Sequence, residues 1–308
     1  MKFICAQPAI DYYTWQVEVM INNFIRNGVD PKDIHIVCAY YGNIPEKWTK
    51  LKEHYTEVGF FFYLDTRLKP AYIPSVRPHI LYQHWLKNPE LENEIVFYHD
   101  CDIILSKPID LENLLSDDVC YVSDTISYIG ANYIKGKGEH YLDLMSSLVN
   151  VNKEFITSQE KNSGGAQYIL KSVPTEFWKK VYYDAENLYR LVNQQIAKDK
   201  LSNPSMHDIQ IWCADMWAVL WNLWFFGKEV RVTPKLQFSW ATSRIEDYEK
   251  CPIYHNAGVT GDGHGLFYKG GYISKLPYDI KIESFTPTQC AYRYAEEIIK
   301  TKEVSCLV

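Results

Sequence analysis

The sequence contains no C-x-x-C pair. Its eight cysteines (5, 38, 101, 120, 213, 251, 290 and 306) are scattered, several inside apolar runs such as Phe3-Ile4-Cys5-Ala6 and Ile36-Val37-Cys38-Ala39. That pattern excludes a zinc ribbon or a disulfide framework and predicts buried free thiols in a reducing, cytoplasmic setting. Positive charge is also short. Against 38 Asp and Glu stand 32 Lys and Arg, a formal balance of −6, which weighs against nucleic acid as a partner because phosphate backbones want a basic surface. No charged segment followed by an apolar one opens the sequence, so no secretory signal is expected, and Cys306 stands too near Val308 for a prenylation box. One stretch, Ile209 to Phe226, is apolar enough to suggest a membrane span, but it carries Asp215 and Asn222. A carboxylate in mid-span costs a few kcal/mol in lipid, so a buried core helix is expected and no transmembrane span. Repeats and low-complexity segments are missing too.

What is present is core material. Of 308 residues 47% are apolar and 23% charged, which suits a globular fold with a sizeable core. Aromatics reach 15%, with 24 Tyr and 9 Trp; rings with a polar tip suit sugar-binding clefts and ordinary cores alike. The first half alternates strand and helix. Strands are predicted at Lys2–Ala6, 33–40, 58–64 and 94–98, and helices at 12–26 (capped by Asp11, with Gly28 past its end), 45–55 and 75–86, with Pro78 in the first turn. Alternation of this kind indicates an α/β fold with a mostly parallel sheet and helices on both faces. The second half predicts strands at 119–123, 166–170 and 230–233, a long helix from Pro174 to about Lys198, and a loop from Gly258 to Gly271. With no break in composition, residues 1–308 read as one domain. A nucleotide-binding part covers about 1–124 and an acceptor-side part, with a helical insertion, about 125–308.

The stretch Tyr98-His99-Asp100-Cys101-Asp102 places two carboxylates one residue apart at the end of the apolar run Ile95-Val96-Phe97. On a strand they would point the same way, with Cys101 opposite. Ligands of open α/β sheets gather at the carboxyl ends of strands, where paired carboxylates suit Mn2+ or Mg2+ carrying a diphosphate. Short acidic turns are common, so D-x-D alone proves little. His255, in Tyr254-His255-Asn256-Ala257-Gly258, offers an imidazole to complete such a metal site, and Lys269 across the Gly-rich stretch offers charge for phosphate oxygens. Arg77, ahead of the acidic strand, could pair with a diphosphate. Gln7 ends the first strand, where a nucleobase would lie. In Lys161-Asn162-Ser163-Gly164-Gly165-Ala166-Gln167, small residues allow close approach of a ligand, while Asn162 and Gln167 offer amides to sugar hydroxyls. Asp215, in Trp212-Cys213-Ala214-Asp215-Met216-Trp217, is costly on an apolar helix unless it is paired or faces a cleft.

In this order the pieces resemble glycosyltransferases of the GT-A fold, and among them the hydroxyproline O-arabinosyltransferases and peptidyl-serine α-galactosyltransferases. Arg77-Pro78, Asp100-Cys101-Asp102 leading to Lys107-Pro108-Ile109, Asn162-Ser163, Asp215-Met216-Trp217 and His255 carry the resemblance. Asp215 stands where those families have Glu, which shortens its reach, and no counterpart of their membrane anchor is expected. The resemblance implies a metal-dependent, retaining transferase using a UDP-sugar, with a hydroxyl-bearing acceptor (glycan, peptide or small molecule; a modified base in DNA stays open). It implies metal ligation by Asp102 and His255, with Asp100 completing the sphere or holding the ribose, and diphosphate contacts by Gly258 and Lys269. Asp215 and Gln167 would serve at the sugar. A metal-dependent nucleotidyltransferase or phosphohydrolase ranks second, because Cys5-Ala6-Gln7-Pro8-Ala9 is no Gly-rich phosphate loop. A non-catalytic carbohydrate-binding module ranks third.

Overall fold

The apolar runs of the first half become buried strands. The computed structural model describes residues 1–261 and 263–308. In chain order it has β1 (Lys2–Pro8), α1 (Asp11–Arg26), β2 (Ile34–Tyr40), α2 (Glu46–His54), β3 (Gly59–Leu64), α3 (Val76–Lys87), β4 (Ile95–His99) and β5 (Ile103–Leu105). Next come β6 (Cys120–Asp124), α4 (Ile126–Ile129), α5 (Ala131–Lys137), α6 (Glu139–Val149), α7 (Lys153–Ser158), β7 (Gly164–Lys171), α8 (Thr175–Ser202) and α9 (Ala214–Phe225). Then follow β8 (Val230–Val232), β9 (Phe238–Trp240), α10 (Ile245–Lys250), β10 (Ile253–His255) and α11 (Cys290–Lys302). The chain divides into two compact units, Met1–Leu64 with Phe97–Asn113 and Lys235–Val308, and Asp65–Val96 with Leu114–Pro234. Among the strands of the first unit the order is β3-β2-β1, followed by the Phe97–His99 part of β4, and among those of the second it is β7-β6-β8. The α/β class and the mostly parallel sheet are as expected.

In the first unit β1 pairs parallel with β2, and β2 with β3. Phe3 to Gln7 are all buried in β1, whereas β3 buries little beyond Phe60. The gradient follows position: an inner strand is covered on both faces, and an edge strand needs fewer apolar side chains. α1 begins one residue earlier than predicted. Ile10, still extended, is the N-cap without a side-chain bond, and Asp11 lies in the first turn with its carboxylate 2.9 Å from Lys47 Nζ. It therefore complements the helix dipole without capping the helix. The helix ends as predicted: Gly28 adopts φ +87, and the Val29 N–H reaches back to the Phe24 carbonyl at 3.0 Å.

A second sheet, β5-β10-β9, belongs wholly to this unit. Each of its strands is three residues long, too short for period-2 alternation to show in sequence. A buried cluster packs on one of its faces and includes Trp15 and Val19 of α1, Ile104 of β5, Tyr254 of β10, Phe267, and Tyr294 and Ile298 of α11.

The second unit is helix-rich. β6 runs antiparallel to β7 and parallel to β8. Four short helices, α4 to α7, fill residues 126 to 158, and α8 extends 28 residues, ending beyond the predicted boundary. Trp178 of α8 meets Trp85 of α3 edge-on at 5.4 Å, and Trp85 Nε1 donates to the Val173 carbonyl at 3.2 Å. Pro78 is the third residue of α3, where no intrahelical N–H is needed. The apolar stretch from Ile209 becomes a 3-10 turn and the buried helix α9. Among the described residues no helix is long and apolar enough to cross a membrane. Seven of the eight free cysteines are buried and Cys306 is half-buried.

Candidate functional site

Strand alternation does not align the two aspartates. β4 ends at His99, and Asp100, Cys101 and Asp102 form the turn into β5. Their convergence with His255 comes from the small sheet. β10 runs antiparallel to β5, pairing His255 with Ile103, so the residue before Ile103 faces the residue after His255. The Asn256 N–H accordingly donates to the Asp102 carbonyl at 2.9 Å. Alternation along β10 then sends Tyr254 into the core, stacked on Tyr294 at 5.4 Å, and His255 to the other face. There Trp240 of β9, its register partner, stacks on the imidazole at 5.7 Å with a 17° interplanar angle.

The outcome is a compact donor set. His255 Nε2 lies 3.3 Å from Asp102 Oδ1 and 3.5 Å from Asp100 Oδ2. One ligand atom from each of Asp100, Asp102 and His255 can be chosen so that all lie within 4.8 Å of one another. Two carboxylate oxygens and an imidazole nitrogen fit a divalent cation of the Mn2+ or Mg2+ kind. Lys269, in a 3-10 turn, ion-pairs with Asp102 Oδ2. Burial alone would raise the Asp102 carboxyl, but the Lys269 ammonium and His255 override it and hold it below the usual carboxylate range. For Lys269 burial pulls down, and Asp102 more than offsets it and pushes the ammonium up. His99, buried between Phe97 and Phe24, is pushed down to about 4 by that burial, so its imidazole is neutral at neutral pH. His99 therefore adds no positive charge at the turn, whereas the Lys269 ammonium does.

Of the other residues singled out in this unit, Gly258 is exposed just after β10, with φ +88. Gln7 is turned into the strand bed. Its amide nitrogen lies 3.3 Å from both the Val37 carbonyl and Cys38 Sγ, and its Oε1 is buried without a partner.

The second unit brings together a different set. Asp215, half-buried in the first turn of α9, has Arg77 of α3 at 3.6 Å from Oδ2. Tyr72 donates its hydroxyl to Asp215 Oδ1 at 2.7 Å. Met216 packs on the start of β7: a Cβ on Gly165 would come 3.0 Å from its terminal methyl and 2.6 Å from the Tyr168 hydroxyl, so a larger residue there would make those side chains shift. Gln167, fully buried on β7, accepts the Ser123 hydroxyl at 2.7 Å and keeps its amide nitrogen without a partner. Asn162 donates to Gln159 Oε1 at 3.0 Å.

No protein-family model matches this sequence, and no curated protein sequence does. Solved structures do. The chain is similar to the apo bifunctional glycosyltransferase WbbM, with TM-score 0.47 and 12% identity over 97% of this chain and 51% of that one. It is similar to the galactosyltransferase LgtC in complex with donor and acceptor sugar analogs, with TM-score 0.43 and 10% identity over 99% and 96%. It is also similar to the glycosyltransferase GlyE of Streptococcus pneumoniae TIGR4, with TM-score 0.42 and 12% identity over 98% and 61%. The chain thus spans about half the length of WbbM and under two thirds of GlyE.

Three contributors escaped the sequence reading. Tyr72 and Trp240 are single aromatics in a chain that has 24 Tyr and 9 Trp, so residue type gave no signal. Ala166 adopts φ +69 at the start of β7, a conformation that costs a non-glycine residue free energy and that nothing in its side chain announces.

Proposed function

We propose that the protein is a metal-dependent glycosyltransferase that moves a sugar from a nucleotide sugar, a UDP-sugar, to a hydroxyl acceptor with retention of configuration. The observation that carries this is the convergence of Asp100, Asp102 and His255 within 4.8 Å, with Lys269 beside them. Asp102 and His255 would hold the cation directly, and Asp100 would complete its sphere or hold the ribose. A bound Mn2+ or Mg2+ supplies charge neutralisation for a departing diphosphate. Lys269 adds a second positive group and holds a phosphate oxygen, an interaction worth more in a half-buried site than in water. Gly258 allows the chain to approach the same diphosphate, and Gln7 is the candidate neighbour of the base. Arg77 is assigned to the diphosphate, and Asn162, Gln167 and Asp215 to sugar or acceptor hydroxyls. The UDP and retention assignments come from the motif resemblance. In that reading the acceptor oxygen bonds to the anomeric carbon, the carbon–phosphate oxygen bond breaks, and the leaving phosphate takes the acceptor proton. No separate general base is then required.

A thermal-shift screen of UDP-, GDP-, ADP- and CMP-sugars, each with and without Mn2+, tests donor class and metal dependence together. Stabilisation by a UDP-sugar only when Mn2+ is present is the expected result, and no shift with any donor overturns the reading. Product analysis then separates the readings: UDP with the sugar on an acceptor is transfer, whereas UMP with sugar 1-phosphate, from cleavage of the P–O–P bond, would make the protein a phosphohydrolase. Asp102→Ala should abolish Mn2+-dependent UDP binding by calorimetry, and unchanged affinity in that variant would remove Asp102 from the metal site.

A further inference from the structure

We propose that Tyr72 is a positioning residue for Asp215, holding its carboxylate in the orientation that meets a sugar or acceptor hydroxyl. The proposal rests on the glycosyl-transfer reading above and adds a group that no recognised motif contains.

Tyr72 is 2% exposed and anchored on several sides. Its ring stacks on Tyr189 of α8 at 4.8 Å and 28°. Its backbone N–H lies 3.3 Å from the Glu186 carboxylate, which also accepts from the Ala71 N–H at 2.8 Å. Arg67 reaches the Tyr72 carbonyl at 3.4 Å and the Ile73 carbonyl at 3.1 Å from the other side. A ring fixed in this way delivers its hydroxyl to one place. That oxygen lies 2.7 Å from Asp215 Oδ1 and 2.5 Å from the Trp212 carbonyl, one turn ahead of Asp215. Burial and the neighbouring Asp215 push the phenol far above its ordinary range, so it keeps its proton to donate.

The consequence falls on the carboxylate. Oδ1 shares the single phenol proton with the Trp212 carbonyl and also receives the Met216 N–H at 3.1 Å, while Oδ2 faces Arg77 at 3.6 Å. These groups fix the plane of a side chain whose terminal torsion is otherwise broad. Without the phenol, the carboxylate can rotate to pair with Arg77 through both oxygens, the geometry a guanidinium prefers.

Tyr72→Phe tests this by removing one oxygen while keeping the ring on Tyr189. The fold should persist, read as a cooperative thermal transition. The turnover number of transfer should fall about ten-fold, while UDP–Mn2+ affinity by calorimetry is unchanged. In an Asp215→Ala background the same substitution should cost nothing further, because Tyr72 acts through that carboxylate; an equal loss in both backgrounds overturns the proposal. A crystal structure of the Tyr72→Phe protein reads positioning without any activity. A rotated Asp215 carboxylate supports the proposal, and an unmoved one overturns it. Wild-type protein that transfers no sugar from any donor overturns the glycosyl-transfer reading instead, and the crystal structure still decides the role of Tyr72.

Discussion

At the scale of the residue, Asp102 is where a folding role and the proposed binding role meet. Its carbonyl closes the β5–β10 junction through Asn256, and its carboxylate holds Lys269 and faces His255. Lys269→Ala should therefore weaken donor binding about ten-fold while metal binding persists. Calorimetry of UDP with Mn2+ checks it, and an unaltered dissociation constant removes Lys269 from the donor site. The acidic pair was legible because both carboxylates stand next to an apolar strand in sequence. His255 was legible because its chemistry completes that pair. Strand alternation does not align the pair: the residues occupy a turn, and register with a distant strand sets their geometry. Tyr72 was invisible because its role arises from a contact across 143 positions, and a buried tyrosine has the same letter as any other.

At the scale of the element, the three-residue strand β10 carries two jobs on opposite faces. Tyr254 is fully buried against Tyr294, and His255 faces the acidic turn. Tyr254→Ala should cost about 3–5 kcal/mol by chemical denaturation, as removing a large buried ring does. It should also weaken Mn2+ binding, because the strand that aims His255 loses its seat. Full stability in that variant would show that β10 is held elsewhere. A second test concerns β6 and β7. The Lys171 ammonium, helped by the Tyr121 hydroxyl, lowers the Asp117 carboxyl from 3.8 to about 2. A carboxyl lowered on folding stabilises the native state above its unfolded value, and that contribution is lost as pH falls towards the folded value. Acid titration should show wild-type stability dropping between 3.8 and about 2, and Asp117→Asn flattening that segment. An identical acid limb in the variant would place the linkage on other groups. The longer elements were legible from their patterns, with ends shifted by a few residues, because an apolar face repeats over many positions. β5, β9 and β10 were not, since three residues hold no period.

At the scale of the whole molecule, a protein that binds a nucleotide and a cation only when folded is stabilised by them through mass action. Saturation at a hundred times the dissociation constant adds about 2.7 kcal/mol, so the midpoint of unfolding should climb with the logarithm of UDP concentration in Mn2+ and revert on chelation. A midpoint indifferent to both ligands would count against any nucleotide–metal site. Sequence alone determined the α/β class, the mostly parallel sheet, the buried thiols and the identity of the acidic pair with its late histidine. Those properties follow from local composition and short-range periodicity, which are written along the chain. Only the tertiary structure decided that Asp102 and His255 converge through the β5–β10 register, that Lys269 pairs with Asp102, and that Tyr72 reaches Asp215. The reason is physical. A strand pairing joins residues some 150 positions apart through backbone hydrogen bonds, and backbone groups are the same whatever side chains they carry.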